Sequence, residues 1–554
     1  MYIQPTTDIY LLHGVPLDNT YDHTLYFSTI TDQYNYFYSC RKLSFNNQTF
    51  QRVSRGFARV QADIGSLYDC NYMMFRNELF GGKWFYAFIT STEYINNQCS
   101  QINFEIDVLQ TWHFNYKLDH CFIERQHTQT DAIGEHIEPE SVALGEYVFN
   151  GLTALTDYST DLLIVLGICD LRPTEEEEEE ETVQVDWSEG KIYDGVYGAM
   201  DLYAYHLSEI NQINAKIASY IQQPDAICAI YMIPNLFNYQ TLTDHKLPTN
   251  IIGYNDVIKD IPALTGTESL NGYTPSNKKL YTYPYNYYHV DNASGGGLDV
   301  RYEFFTNAQG IRTLKPEFII HGTITQPVKL LLRPTNYKGA TTWEDVSESL
   351  EINGFPQCSW NLDSYYAWVA QSAVPTMMKM GGSVINTIIN FATGNSDSGI
   401  FGSAIDPSTA GYSSKSLIGE SVNALSQQYS ASIQSDICKG SINCGNVNVA
   451  SEHQDFFGGR VSITANQARM IDDFFTRFGY AINAVAIPIR NARPHWTYIK
   501  TSGCTISPYS QSQTQSGGIP NDDMKRICGI YNKGITWWRN PSEVGNYSLN
   551  NKPV

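Results

Sequence analysis

From Gly381 to Ser396 the chain carries no charged side chain, and the stretch around it, Ala373 to Ile437, limits what the molecule can become more than any other. It enters through Ala373-Val374-Pro375-Thr376-Met377-Met378-Lys379-Met380-Gly381-Gly382 and continues as Ser383-Val384-Ile385-Asn386-Thr387-Ile388-Ile389-Asn390-Phe391-Ala392. A Gly/Ser-rich tip follows, Gly394 to Gly411, whose only charges are Asp397 and Asp406. So long an insertion with so little charge must be covered by something. Two readings follow: a helical hairpin packed in an ordinary core, or a sequestered membrane-active loop. The run from Val384 to Ala392 is far shorter than the roughly 20 apolar residues a lone spanning helix requires, so one copy would be interfacial or re-entrant. Only a ring of copies could close its backbone hydrogen bonds across lipid. Leu362 to Gln371 reads as a short helix leading in. Ile418, Val422, Leu425, Tyr429, Ile433 and Ile437 recur every three or four residues and predict an amphipathic return helix.

With 554 residues the chain is long enough for several domains. Hydrophobic residues make up 42% and charged ones 17%, so cohesion must come from burial and backbone pairing. Tyr (39), Phe (25), Gly (40) and Pro (22) lean toward a β-rich architecture. A formal net charge of −21 argues against a conventional DNA-binding protein, because phosphate contacts need clustered Lys and Arg. A conduit that DNA slides through is the exception, since an acidic wall does not stick. The eleven cysteines, among them Cys121, Cys504 and Cys528, are scattered without a C-x-x-C pair, and predict reduced thiols made in a cytoplasm. No secretory signal is visible at Met1-Tyr2-Ile3-Gln4-Pro5, and no apolar run is long enough for an ordinary transmembrane helix.

Along the chain, Gly82 to Thr90 is an aromatic strand. After the Asn96-Asn97 turn, Ile102, Phe104, Ile106 and Val108 alternate with Asn103, Glu105 and Asp107, which predicts a hairpin with one buried and one wet face. Leu162 to Gly167 reads as a buried strand. Glu175 to Glu181 is an unbroken acidic run, read as a solvated loop. Leu202, Ala204, Tyr205, Leu207, Ile210, Ile213 and Ile217 predict a helix over Asp201 to Gln223, ended by Pro224. Tyr231 to Gln357 is strand-like and turn-rich, and its Tyr281 to His289 cluster reads as a half-buried strand at a subunit contact or as a sugar platform. Ile471, Phe474, Phe475 and Phe478 predict one helix ending at Gly479. Met524, Ile527, Cys528 and Tyr531 predict another between an Asn521-Asp522-Asp523 cap and Gly534. Trp496 to Ile499 and Ile535 to Trp538 are the strands these helices should pack on.

No P-loop, dinucleotide fingerprint, H-E-x-x-H or nucleophile elbow is present. Glu105 and Asp107 lie two apart on one strand, whereas glycosidase pairs come from separate elements flanking the bond. His127 and His136, near Glu124 and Glu138, imitate a metal cluster, but the spacings fit no standard site and predict a surface loop. Catalytic residues, metal and cofactors are therefore expected to be none.

Gly82 to Thr90 followed by Phe104-Glu105-Ile106-Asp107-Val108-Leu109-Gln110-Thr111-Trp112 resembles the tail knob (distal tail tube) proteins of small short-tailed phages with protein-primed linear genomes. The resemblance returns in Phe478-Gly479-Tyr480-Ala481-Ile482-Asn483, Gly534-Ile535-Thr536-Trp537-Trp538 and Gly545-Asn546-Tyr547-Ser548. It implies a mainly β, α+β multidomain chain in a ring oligomer of six copies. Residues 1–150 and 441–554 would build a tube wall, 151–360 outer domains, and 361–440 a helix-flanked loop that plugs the lumen and enters the host membrane. The membrane-active residues would be Met377, Met378, Met380, Val384, Ile385, Ile388, Ile389, Phe391, Ile400 and Phe401, with Gly381, Gly382, Gly394, Gly399 and Gly402 as hinges. The implied partners are further copies of the chain, other phage tail proteins, the host cell membrane, and double-stranded DNA in transit without specific binding. The implied place is the tail tip of the virion. The alternative expectation is a host-surface adhesin or cell-wall-degrading tail component.

Overall fold

The structure, a computed structural model, describes residues 6–48, 56–78, 81–158, 161–168, 191–193, 196–198, 201–219, 227–235, 243–247, 254–325, 328–340, 342, 345–355, 357–359, 441–443, 455–509 and 518–553. It is mainly β, with several sheets. The N-terminal strands are β1 (Thr7–His13), β2 (His23–Leu25), β3 (Arg41–Gln48), β4 (Phe57–Val60), β5 (Cys70–Asn77), β6 (Trp84–Asn96), β7 (Cys99–Ile106), β8 (Tyr116–Leu118) and β9 (Cys121–Gln126), with helices α1 (Ile30–Ser39) and α2 (Val108–Thr111). The middle holds β10 (Tyr147–Ala154), β11 (Leu162–Ile168), β12 (Lys191–Tyr193), β13 (Val196–Gly198), β14 (Asp201–His206), α3 (Ile210–Ala218), β15 (Ile227–Pro234), β16 (Tyr254–Ile258), β17 (Asn286–Asp291) and β18 (Gly297–Val300). It continues with β19 (Phe318–Gly322), β20 (Leu330–Pro334), β21 (Leu350–Ile352), β22 (Gln357–Ser359), β23 (Ser441–Asn443) and β24 (Phe457–Ile463). The C-terminal part adds α4 (Ala465–Phe478), β25 (Tyr480–Ala486), β26 (Trp496–Ser502), β27 (Ile506–Pro508), α5 (Asn521–Lys533) and β28 (Ile535–Trp538).

Two compact units result. The first joins Met1–Glu146, Gly266–Tyr285 and Ile463–Val554. Its larger sheet has the order β3-β1-β5-β6-β7-β4 and its second β2-β28-β26-β9-β25. The β6–β7 hairpin forms as its alternation predicts, with Ile102 and Phe104 buried. Period-2 alternation gives the larger sheet a core on each face: Tyr72, Met74, Tyr86 and Phe88 on one, Met73, Phe75 and Ala87 on the other. The first of these cores also holds Val108, Leu109, Ile527, Tyr531, Trp496, Trp537 and Trp538, so chain-distant ends share one interior. β28 pairs with β26 antiparallel and with β2 parallel, which explains why the three tryptophans are fully buried. α4 and α5 form where the apolar spacing puts them. The N-cap of α5 is Pro520 rather than the Asn521-Asp522-Asp523 run, which instead opens the first turn, where Asp522 and Asp523 oppose the helix dipole.

The second unit comprises Tyr147–Thr265 and Asn286–Ser462. β11, buried along its whole length, is flanked by β14 and β15 in the sheet β14-β11-β15-β22-β23. The helix expected from Asp201 begins only at Ile210: Asp201–His206 is β14, paired with β11 from Leu163↔His206 to Ile168↔Asp201. Leu202, Tyr203, Ala204 and Tyr205 are buried in succession, a strand covered on both faces, which helical spacing cannot be told from in so short a run.

Candidate functional site

The two ends of the apolar insertion are held together by backbone pairing. β15 carries β22 through Ala229↔Ser359, Ile230↔Cys358 and Tyr231↔Gln357. β22 in turn pairs antiparallel with β23 through Gln357↔Asn443, Cys358↔Ile442 and Ser359↔Ser441. β22 and β23, which precede and follow residues 360–440 in the chain, are therefore neighbours at one edge of a sheet anchored by the buried β11. The candidate loop residues (Met377, Met378, Met380, Val384, Ile385, Ile388, Ile389, Phe391, Ile400, Phe401) and hinges (Gly381, Gly382, Gly394, Gly399, Gly402) lie outside the described residues. So do the flanking helices expected over Leu362–Gln371 and Ile418–Ile437, and the Glu175–Glu181 run.

The carboxylate pair separates. Asp107, expected on the wet face of the hairpin, is only 1% exposed. The strand has ended there, and Asp107 turns inward to cap α2: its Oδ1 accepts from Leu109 N (3.0 Å) and Gln110 N (3.1 Å), and its Oδ2 from the Tyr72 hydroxyl (2.8 Å). Burial pushes its carboxyl up to about 6, against the pull of those hydrogen bonds. Glu105 instead pairs with Arg526 of α5. One carboxylate is a cap and the other a link between chain ends, an arrangement without a shared substrate face.

His127, expected on a surface loop, is 2% exposed. Its Nε2 donates to Thr476 O (3.1 Å) and its Nδ1 accepts from Tyr498 N (2.8 Å), so it is a neutral link between β9, α4 and β26. Burial, helped by the Arg493 guanidinium, lowers its pKa to about 3. His136 stacks on Tyr480 at 5.0 Å. Glu124 pairs with Lys500. Among the described residues no group of three or more His, Cys, Asp or Glu could hold a metal.

The tyrosine cluster turns inward. Lys278–Tyr281 is a 3-10 turn, the strand proper is β17, and Tyr281 and Tyr285 are buried while Tyr283 is 37% exposed. Tyr281 donates its hydroxyl to Glu268 O (2.6 Å), as a buried phenol should, so Tyr281 and Tyr285 belong to the core while Tyr283 keeps an exposed ring.

One polar link of the first unit was not visible in any local pattern. Glu140 has a side chain with no exposure, and it meets Lys279 Nζ at 2.6 Å, pairs with Arg125, and accepts from Ala481 N at 2.8 Å. One carboxylate thus ties β9, the 278–281 turn and β25. No periodicity marks a lone glutamate whose partners lie so far along the chain.

A profile for the C-terminal domain of the tail knob protein gp9 of Bacillus phage phi29 matches residues 254–552, more than half of the chain, and one for the N-terminus of caudoviral major tail proteins matches residues 5–117. The tail knob protein gp9 of Bacillus phage phi29 is 25% identical, with 99% of this chain and 98% of the relative covered. That of Bacillus phage B103 is 23% identical over the same shares. In three dimensions the tail knob protein gp12 of bacteriophage C1 superposes with a TM-score of 0.61 at 15% identity, covering 98% of this chain and 99% of that one, a likeness of fold. The chain is a member of the phi29-type tail knob protein family.

Proposed function

We propose that this structural tail protein forms the distal end of a short phage tail as a ring of six copies, a conduit for the viral DNA closed by a hydrophobic plug. Residues 1–150 and 441–554 form the wall, 151–360 the outer domains and 361–440 the plug. The chain is not an enzyme. It works with other tail proteins and the host membrane, and it is made in the host cytoplasm. The observation that carries this reading is the insertion's root: the strands on either side of a charge-poor apolar segment pair with each other, so the sheet that bears the segment is closed by its own hydrogen bonds.

Before attachment the tips bury one another in the lumen. At the host membrane, lipid offers the same side chains an equivalent apolar phase. At about 25 cal/mol per Å², a few hundred Å² of apolar surface per copy is worth several kcal/mol, and the copies add. A bistable assembly is switched by a difference of that size. Val384, Ile385, Ile388, Ile389 and Phe391 make the lipid contact, and the hinge glycines let the loop refold. The net charge of −21 keeps DNA from adhering to the wall. The test is Ile388→Asp: a charge there should abolish leakage from liposomes while oligomer size is unchanged, whereas a fully leaky Ile388→Asp ring would rule the mechanism out.

A further inference from the structure

In the first unit a polar cavity of about 370 Å³ lies between α4 and the 547–552 segment, lined among others by Arg469, Asp472, Asp473, Arg493, Tyr547 and Lys552. Arg493 decides its chemistry. Its residue is 3% exposed, its Nη1 donates to Asn551 O (3.3 Å) and its Nη2 to Thr128 Oγ1 (3.5 Å), yet its Nε has no hydrogen-bond partner. A buried guanidinium donor left unpaired is costly and marks a place where an acceptor belongs.

The acids nearby are already committed. Asp472 accepts from the Tyr273 hydroxyl (2.6 Å) and Ser276 N (2.8 Å) at Oδ2, and from Asn277 N (2.9 Å) and Asn277 Nδ2 (2.7 Å) at Oδ1. Asp473 pairs with Arg477. Asp131, which faces Arg493 from outside the cavity lining, accepts from the Tyr480 hydroxyl (2.7 Å) and Lys278 N (3.2 Å). His127, also in the lining, is neutral with both ring nitrogens used. Neither Arg469, which lies over the Tyr273 ring at 5.4 Å, nor the exposed Lys552 has a carboxylate within ion-pair distance among the described residues, and with Arg493 they set three cations in the lining against the carboxylates of Asp472 and Asp473.

We propose that this cavity is a binding site for a small phosphate-type oxyanion, which accepts from Arg493 Nε and is held by Arg469 and Lys552. A forked guanidinium with two cations at the rim suits a multiply charged tetrahedral acceptor better than a halide. The cavity has room for phosphate with its waters, or for phosphate carrying a small ester group. Occupancy fastens the 547–552 segment to α4. That segment is already positioned by Asn551, whose Oδ1 accepts from His495 N (3.1 Å) and Trp496 N (3.2 Å).

The test is a titration of the full chain with inorganic phosphate and, separately, glycerol 3-phosphate, followed by phosphorus NMR and calorimetry at ionic strength held constant with chloride. The expected result is saturable binding, weakened about tenfold in each of Arg469→Gln and Lys552→Gln, both at exposed positions that leave the fold intact. Preference for glycerol 3-phosphate assigns an esterified phosphate, preference for inorganic phosphate assigns the free ion, and equal binding assigns a site that reads the phosphate group alone; each supports the site. Absence of saturable binding by both probes, or binding unchanged in both variants, would overturn it.

Discussion

Gly479 shows how one residue can be dictated by its surroundings. It ends α4 at φ 66° and ψ −153°, a region open only to glycine, and a Cβ built on it would sit 2.3 Å from Gln126 O. Gly479→Ala should therefore cost about 3 kcal/mol or more, read as a lower urea midpoint with unchanged slope; a midpoint like the parent's would contradict the packing of α4 against β9. The buried histidines set the pH response of the same unit. Burial lowers His113 and His127 to about 3, so between the ordinary histidine value and that point the folded state binds fewer protons than the unfolded one. Their stability is whole above pH ~6.5 and falls on acidification by about 1.4 kcal/mol per pH unit for each. Asp107, raised to about 6, acts the other way, its ionised form costing stability above that pH and the cost easing as it protonates. Two groups outweigh one, so the unit should weaken in acid. His127→Gln should flatten the slope of unfolding free energy between pH 6 and 4 by about one proton's worth. An unchanged slope would mean that His127 is not a buried neutral link.

At the scale of elements, legibility followed locality. The β6–β7 hairpin, β11, α4, α5 and the separate strands β26 and β28 could be read because each carries its own period of burial: two for a half-buried strand, three to four for a helix, and a continuous apolar run for a strand covered on both faces. β14 was misread because both its faces are buried, so the alternation that would have marked it is missing. Asp107, His127 and Glu140 escaped for a different reason: their roles depend on partners that only tertiary folding supplies. Glu140 illustrates what such contacts are worth. Glu140→Gln leaves Arg125 and the 2%-exposed side chain of Lys279 without their carboxylate, and should lower stability by about 3–5 kcal/mol. Thermal unfolding of the variant checks this, and a melting temperature within a degree of the parent's would contradict the account of that link.

For the whole molecule, the family and the mainly β architecture were legible in two motif blocks at opposite ends of the chain, because both blocks contribute to one shared core. The insertion was legible by composition alone, through the missing charge between Gly381 and Ser396, and its hairpin-like root on β22 and β23 became visible only in the structure. The proposal that this segment is a membrane-active plug, and not interior packing, can be tested directly. Dye leakage from liposomes is compared between the intact chain and a version in which Met377 to Leu417 is replaced by a short Gly/Ser linker, with oligomer size measured for both. The account predicts that leakage vanishes with the loop while the ring persists. A ring that falls apart without the loop, or one that leaks equally well without it, would contradict it.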